Sequence, residues 1–251
     1  MGEPGKPAVA GAAPEGAQDE KSAAVAVREM FSAVAPRYDL LNHLLSLNVD
    51  RLWWRRAART FAPILARPEA RVLDLCCGTG DLAMALRRET RGNLPRILGA
   101  DFSHPMLTRA TRKFSGRNMT ALGADALRLP FPDSSFDLVV SAFGFRNLAN
   151  YESGLCEMLR VLRPEGECGI LEFQEPSGLM GALYGAYFRR VLPVVGTMIS
   201  GVPGAYAYLP ASVRRFPGAE EMLALMRAAG FREVSWAPYT FGIAGLFRGK
   251  K

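Results

Sequence analysis

The stretch Arg71-Val-Leu-Asp74-Leu-Cys-Cys-Gly78-Thr79-Gly80-Asp81 decides the fold. Its first five residues form a short apolar run, the pattern of a buried strand. Its glycines let a ligand approach the backbone at the end of that strand, where open α/β sheets bind ligands. From Asp81 to Arg88 the spacing is helical. The loop Gly78-Thr-Gly80-Asp-Leu-Ala83 also fits G-x-G-x-x-A, the dinucleotide pattern. On its own it leaves two kinds of nucleoside cofactor open.

The same strand-and-helix alternation continues downstream. Arg96 to Asp101 reads as a second strand, followed by a helix around Met106 to Lys113. Met119 to Asp125 and Phe136 to Phe143 read as the third and fourth strands. A helix from Tyr151 to Leu162 stops at Pro164, and Glu167 to Phe173 reads as the fifth strand. Glu220 to Ala229 is helical and stops at Gly230; Phe231 to Trp236 and Phe241 to Phe247 read as a closing, hairpin-like pair. The order predicts an α/β fold whose sheet is mostly parallel, covered on both faces, with an antiparallel C-terminal strand.

Upstream the period is helical from Ala24 to Phe61, broken at Pro36 and at the polar cluster Ser46 to Asp50 into two or three helices. These helices are expected to lid the ligand edge of the sheet. Residues 1–20 are rich in Ala, Gly, Pro and Glu and read as a disordered tail. The rest, 24–251, reads as one domain, with N-terminal helices over 24–61 and an α/β core over 70–251.

Charge distinguishes the two cofactors. A dinucleotide sets its pyrophosphate at the helix N-terminus, where Asp74 and Asp81 would repel it. Two carboxylates suit a ligand carrying an ammonium and a sulfonium, as S-adenosylmethionine does. Asp81 also reads as a plain helix N-cap, and both roles can hold together. Asp101, at the end of the second strand, can accept both ribose hydroxyls. After the third strand, Asp125-Ala126 offers a carboxylate to the adenine amino group, and Ser141 lies near the end of the fourth, under the reacting centre.

Composition narrows the setting. About half the residues are apolar, and no stretch reads as a membrane span or a secretory signal. Cys76, Cys77, Cys156 and Cys168, with only His43 and His104 besides, give no metal spacing. The thiols read as reduced and structural, in a cytoplasmic protein. The net charge of +7 comes from scattered arginines without an aromatic RNA-binding pattern. No nucleic-acid partner is expected; a solvated surface is the first reading, and peripheral contact with an anionic membrane surface the second. A homo-oligomer is left open.

Several motifs resemble the ubiquinone/menaquinone biosynthesis C-methyltransferase family across nearly the whole chain after the tail. Met30-Phe-Ser-Ala-Val-Ala-Pro-Arg-Tyr-Asp-Leu-Leu-Asn42 resembles its opening motif, with Leu45-Ser46 and Arg51-Leu-Trp53 following. Ala124-Asp-Ala-Leu-Arg-Leu-Pro-Phe-Pro-Asp-Ser-Ser-Phe-Asp137, Phe143-Gly-Phe-Arg-Asn147 and Leu171-Glu-Phe173 are similar to its central motifs. Tyr208-Leu209, Ser212, Phe216-Pro217, Gly242-Ile243 and Gly249-Lys250 resemble its last ones. Asn48 stands where the family usually has Gly, and Pro164-Glu-Gly166 replaces Pro-Gly-Gly. The resemblance implies a class I S-adenosylmethionine-dependent methyltransferase fold, with cofactor contacts at Thr79, Asp101, Asp125, Ala126 and Ser141 beside Asp74, Gly78 and Gly80. It implies C-methylation of a polyprenyl quinol: demethylmenaquinol, 2-methoxy-6-polyprenyl-benzoquinol or both. The Cys-Cys form of the loop inclines the resemblance to the menaquinone branch.

A quinol ring carbon becomes nucleophilic when a neighbouring hydroxyl loses its proton, so the enzyme must position that carbon and stabilise the oxyanion. Arg146 and Asn147, which follow the fourth strand, are the catalytic candidates; a structural cap for the helix near Tyr151 is the alternative. Tyr38, Asp39 and Asn42 are expected on the lid. His43 reads more readily as surface or core than as a base. Tyr184, Tyr187, Tyr206 and Tyr208 read as an apolar wall, of the core or for a prenyl tail. An NAD-linked oxidoreductase, a methyltransferase for a sterol or other small phenol, and a non-catalytic scaffold of quinone enzymes are the rival functions.

Overall fold

Among the described residues seven strands form one sheet, in the order β3-β2-β1-β4-β5-β7-β6. They are β1 (Arg71–Leu75), β2 (Arg96–Asp101), β3 (Met119–Gly123), β4 (Phe136–Ala142), β5 (Leu162–Phe173), β6 (Arg232–Tyr239) and β7 (Ala244–Lys250). The computed structural model describes residues 11–35, 46, 48–90, 95–176 and 205–251, the last from 208 with its side chains. β1 to β5 are parallel, and β7 runs antiparallel to both β5 and β6. The expected class of sheet is the observed one.

The chain winds outward from β1 through β2 to β3, then crosses to β4 on the other side of β1. That reversal opens a crevice at the C-terminal strand ends. Register brings those ends level: Asp74 pairs with Gly99 and Val140, and Asp101 with Gly123.

Strand residues alternate between two cores because the side-chain period is two. Val72, Ile97, Leu138 and Val140 pack on one face with Trp53, Phe61, Leu65 and Leu86. Those aromatic and aliphatic partners lie on α2 (Val49–Thr60), α3 (Ala62–Leu65) and α4 (Asp81–Glu89), with Phe61 between the first two. Leu73, Leu75, Val139 and Ile170 face the other core, with Leu155 and Met158 of α6 (Tyr151–Val161) and Met222 and Met226 of α8 (Ala219–Ala228). α5 (His104–Phe114) closes the β2–β3 side, and α7 (Ala205–Arg215) precedes α8.

α1 (Glu20–Val34) begins in a capping box, with Asp19 accepting from the Ser22 N–H at 2.7 Å. Ser32 of α1 meets Ser103, the N-cap of α5, at 3.0 Å. Residues 11–19, read as part of an unstructured tail, instead lie against the body. The Ala12 N–H donates to the Leu148 carbonyl at 2.7 Å, and Arg215 Nε donates to the Gly11 carbonyl at 2.8 Å. The segment is held by backbone hydrogen bonds and small side chains, which hydropathy does not register. A Cβ on Gly11 would lie 2.2 Å from the Leu148 oxygen.

The two departures from the family pattern fall on left-handed backbone. Asn48, the N-cap of α2, has φ 62°, a value Asn tolerates. Glu165 has φ 62°, where glycine would be unstrained, and its carboxylate takes Arg232 Nη2 at 2.6 Å. β5 starts five residues earlier than expected, since Leu162 already pairs with Phe136 ahead of a register shift.

Candidate functional site

Asp74, next to last in β1, is buried, and its placement follows from how α4 begins. The N-cap of α4 is Gly80, at φ +88°, which has no side chain to cap the helix. Asp74 supplies the missing acceptor: its Oδ2 takes the Ala83 N–H at 3.0 Å. Its Oδ1 is buried and has no hydrogen-bond partner among the described residues. Gly80 cannot be replaced easily, because a Cβ there would meet the Phe114 ring at 2.4 Å.

Beyond the strand ends lies a cavity. Asp74, Gly78, Thr79, Asp101, Asp125, Ala126 and Asn147 all line it. Asp101 Oδ2 accepts from the Gly78 N–H at 2.8 Å and Oδ1 from Ser103 N at 2.9 Å, so the carboxylate shapes the glycine loop. Asp125 Oδ1 accepts from Leu127 N at 2.9 Å. Phe31 of α1 and Trp54 of α2 add apolar walls, so the N-terminal helices do cover the strand ends. Lys113, which the sequence reading overlooked, reaches Asp81 Oδ1 at 2.8 Å and Thr79 Oγ1 at 2.9 Å. Asp81 is therefore paired with a cation, and the carboxyl groups facing the cavity without one are those of Asp74, Asp101 and Asp125.

Gly80, Ser141 and Arg146 are not on the cavity wall among the described residues. Gly80 packs on Phe114. Ser141 is buried beneath Gly144, its hydroxyl without a partner among the described residues. Arg146 was expected to face the substrate and is instead 5% exposed. Its Nη1 donates to Glu172 Oε1 at 2.7 Å and to the Phe143 carbonyl, and its Nε donates to Ser212 Oγ at 3.3 Å. Glu172 is fully buried and also accepts from the backbone of Arg146 and Phe173. The pair thus ties the turn Phe143–Asn147 to β5 and α7. Asn147 alone of the two catalytic candidates reaches the cavity, with its Oδ1 buried and unpartnered among the described residues.

Glu172 carried a readable signal, a lone charge in the apolar strand Gly169–Phe173, which demands a buried partner. Tyr208 stands near this pair with a buried hydroxyl, its pKa pushed up to about 12 by burial. Tyr38, Asp39, Asn42, His43, Tyr184, Tyr187 and the Tyr206 side chain lie outside the described residues. Cys76 and Cys77 are free thiols whose pKa values burial raises well above the ordinary range, with Asp101 and Asp74 adding to the effect. Such thiols are inert, in keeping with a packing role.

Burial pushes the Asp74 carboxyl up to about 8, and the charges of Asp101 and Asp81 add to the rise. Burial likewise raises Asp101, against the N–H groups of Ser103, Gly78 and Phe102. A site of buried, under-solvated carboxylates fits a cationic nucleoside and disfavours a pyrophosphate. A raised folded-state pKa stabilises the unliganded protein most fully below the unfolded value near 3.8, and that contribution is lost as pH rises through about 8. The Tm without cofactor is therefore expected to fall between roughly pH 4 and 8. A cation bound beside Asp74 reverses the preference. Its affinity should rise with pH through that range, and binding near neutrality should release a proton. Calorimetry in two buffers of different ionisation enthalpy reads the proton directly; Asp74→Asn should abolish both the release and the slope.

Solved structures share this architecture. An S-adenosylmethionine-dependent methyltransferase from Thermotoga maritima superposes with a TM-score of 0.63 at 22% identity, covering 90% of this chain and 99% of that one. A second, from Aquifex aeolicus, gives 0.58 at 19%, covering 80% and 92%. The fold is that of the S-adenosylmethionine-dependent methyltransferases. A model of the ubiE/COQ5 methyltransferase family matches residues 16–251. The demethylmenaquinone methyltransferase of Deinococcus radiodurans is 50% identical over 236 residues, 93% of this chain and 95% of the relative. That of Thermus thermophilus is 51% identical over 225 residues, 88% and 100%. The ubiquinone/menaquinone biosynthesis C-methyltransferase of Geobacter sulfurreducens is 46% identical over 230 residues, 90% and 88%. The chain belongs to the ubiE/COQ5 methyltransferase family, and it is a methyltransferase.

Proposed function

We propose that this enzyme transfers the methyl group of S-adenosylmethionine to a ring carbon of a polyprenylated quinol, converting demethylmenaquinol to menaquinol. The observation that carries the reading is the cavity itself: carboxylates at three strand ends, those of Asp74 and Asp101 buried, facing apolar walls, in a chain about half identical to two demethylmenaquinone methyltransferases. Asp74 and the Gly78 loop would hold the cationic amino-acid end of the cofactor, Asp101 its ribose, and Asp125 with Ala126 its adenine. When bound, S-adenosylmethionine supplies an electrophilic methyl.

The chain's own groups prepare the ring. Phe31, Trp54 and Phe143 exclude water from the cavity, which strengthens every polar contact inside it. Asn147 is the catalytic residue: its buried Oδ1 accepts a quinol hydroxyl and orients the ring. Arg146 and Glu172 are positioning residues, fixing the turn that carries Phe143 and Asn147. Gly80 and Ser141 support the loop and the turn from behind.

Among the described residues no helix is long and apolar enough to cross a membrane. We place the enzyme in the cytoplasm, in peripheral contact with the inner face of the membrane that holds its lipid-tailed substrate. The test is methyl transfer to demethylmenaquinol and 2-methoxy-6-polyprenyl-1,4-benzoquinol, offered side by side. Faster methylation of the naphthoquinol is expected; a preference for the benzoquinol would move the enzyme to ubiquinone synthesis, and no transfer to either would overturn the reading. Because nucleophilicity requires a hydroxyl that can ionise, the quinol should react and the oxidised quinone should not. Similar anaerobic rates with both forms would rule out this mechanism.

A further inference from the structure

On the outer side of Trp54 lies a second, open groove of about 780 Å³, formed by α2, α4 and α5. Trp54 and Asp81 line both this groove and the cofactor cavity, so the two adjoin. Among the described residues six cationic side chains border it, Arg51, Arg55, Arg88, Arg112, Lys113 and Arg117, against the carboxylates of Asp81 and Glu89. Both carboxylates are already committed, Asp81 to Lys113 at 2.8 Å and Glu89 to Arg55 and Arg59 at 3.5 and 3.4 Å. Arg51, Arg88, Arg112 and Arg117 are exposed and make no ion pair among the described residues. In the same rim Leu52 is 64% exposed.

We propose that this groove is the face by which the enzyme docks on an anionic phospholipid bilayer, its arginines on the headgroup phosphates and Leu52 in the interfacial layer. Charge complementarity is the first argument. Four uncompensated guanidinium groups on one face attract a negative surface, and each is bidentate toward phosphate. Composition is the second. An aliphatic side chain set among long cationic ones suits the boundary between headgroup and acyl chain. Nucleic acid would instead need aromatic stacking platforms, and no exposed aromatic lines the groove among the described residues. Position is the third argument, and it rests on the proposed lipid-tailed substrate. A bilayer held against this groove lies one tryptophan away from the cofactor cavity, so a quinol ring would travel a short path while its tail stays in lipid.

The experiment is co-sedimentation with phosphatidylcholine vesicles, with and without about a third phosphatidylglycerol, at roughly 0.1 M salt. Binding is expected to the anionic vesicles alone, and to be lost at about 0.5 M salt, where screening is severe. Each cation near such a surface contributes roughly fivefold in partitioning. Arg88→Glu with Arg112→Glu should therefore weaken binding by on the order of 25-fold or more. Leu52→Ser should weaken it severalfold without changing charge. Both variants should methylate a tail-less quinol in solution at the parent rate. Equal vesicle binding by parent and double variant, no binding by the parent, or tighter binding to an oligonucleotide than to vesicles would overturn the proposal. Failure of the parent to methylate the tail-less quinol would count against the proposed reaction and leave the vesicle result to be read by itself.

Discussion

A Glu172→Gln protein is expected to lose about 3–5 kcal/mol of stability, the cost of leaving a buried charge without its partner. For a chain of this size that is a fall in Tm of roughly 6–20 °C. Arg146 would remain 5% exposed, with Ser212 and the Phe143 carbonyl as its only other named acceptors. Pairing Arg146→Met with Glu172→Leu should recover much of the Tm, since apolar replacement of a buried ion pair is often neutral or better. It should not recover turnover, because the turn holding Asn147 loses its tie to β5 and α7. The pH profile separates positioning from direct stabilisation of a phenolate. A direct role predicts that the kcat deficit of Arg146→Gln shrinks at high pH, where the quinol ionises unaided. The buried pairing seen here predicts a deficit of constant size across pH, together with a lowered Tm. A stable Arg146→Gln protein with a pH-dependent deficit would restore the direct role.

Asp101→Ala is expected to weaken S-adenosylmethionine by about 1.5–3 kcal/mol, the range for hydrogen bonds to a charged group. Part of that loss acts through the loop, since the Gly78 and Ser103 N–H groups both lose their acceptor. Asp101→Asn keeps one acceptor and should fall between the parent and the alanine variant. Titration calorimetry on folded protein reads the effect, with the KM for quinol as the control that should hardly move. Unchanged cofactor affinity in Asp101→Ala would remove Asp101 from the binding site.

Much of this was legible because local patterns and tertiary structure agree. β1 and β2 occupy the predicted residues, since each is a buried run bounded by turn-forming residues. The carboxylates at 74, 101 and 125 could be located from strand ends alone. What the sequence hid depends on contacts distant along the chain. Lys113 neutralises Asp81 across 32 residues, and Glu172 captures Arg146 across 26. A motif places Arg146 after a strand but cannot tell whether its guanidinium turns toward the cavity or back into the core. The early start of β5 and the docking of residues 11–19 were missed for a related reason. Both rest on backbone hydrogen bonds, to β4 and to Leu148, which leave no hydrophobic period.

The position of β7 has a consequence for synthesis on the ribosome. It is made after the other six strands, yet it lies inside the sheet between β5 and β6. Seven registered pairs join it to β5, and Phe247 is fully buried. Until residue 250 leaves the exit tunnel, β5 presents one complete row of unpaired N–H and C=O groups. A bare edge of that kind recruits other strands. The nascent chain must therefore carry an open, sticky side from the emergence of β5 until β7 follows it. Emergence of β7, more than that of any earlier strand, should set the moment at which this fold becomes protease-resistant.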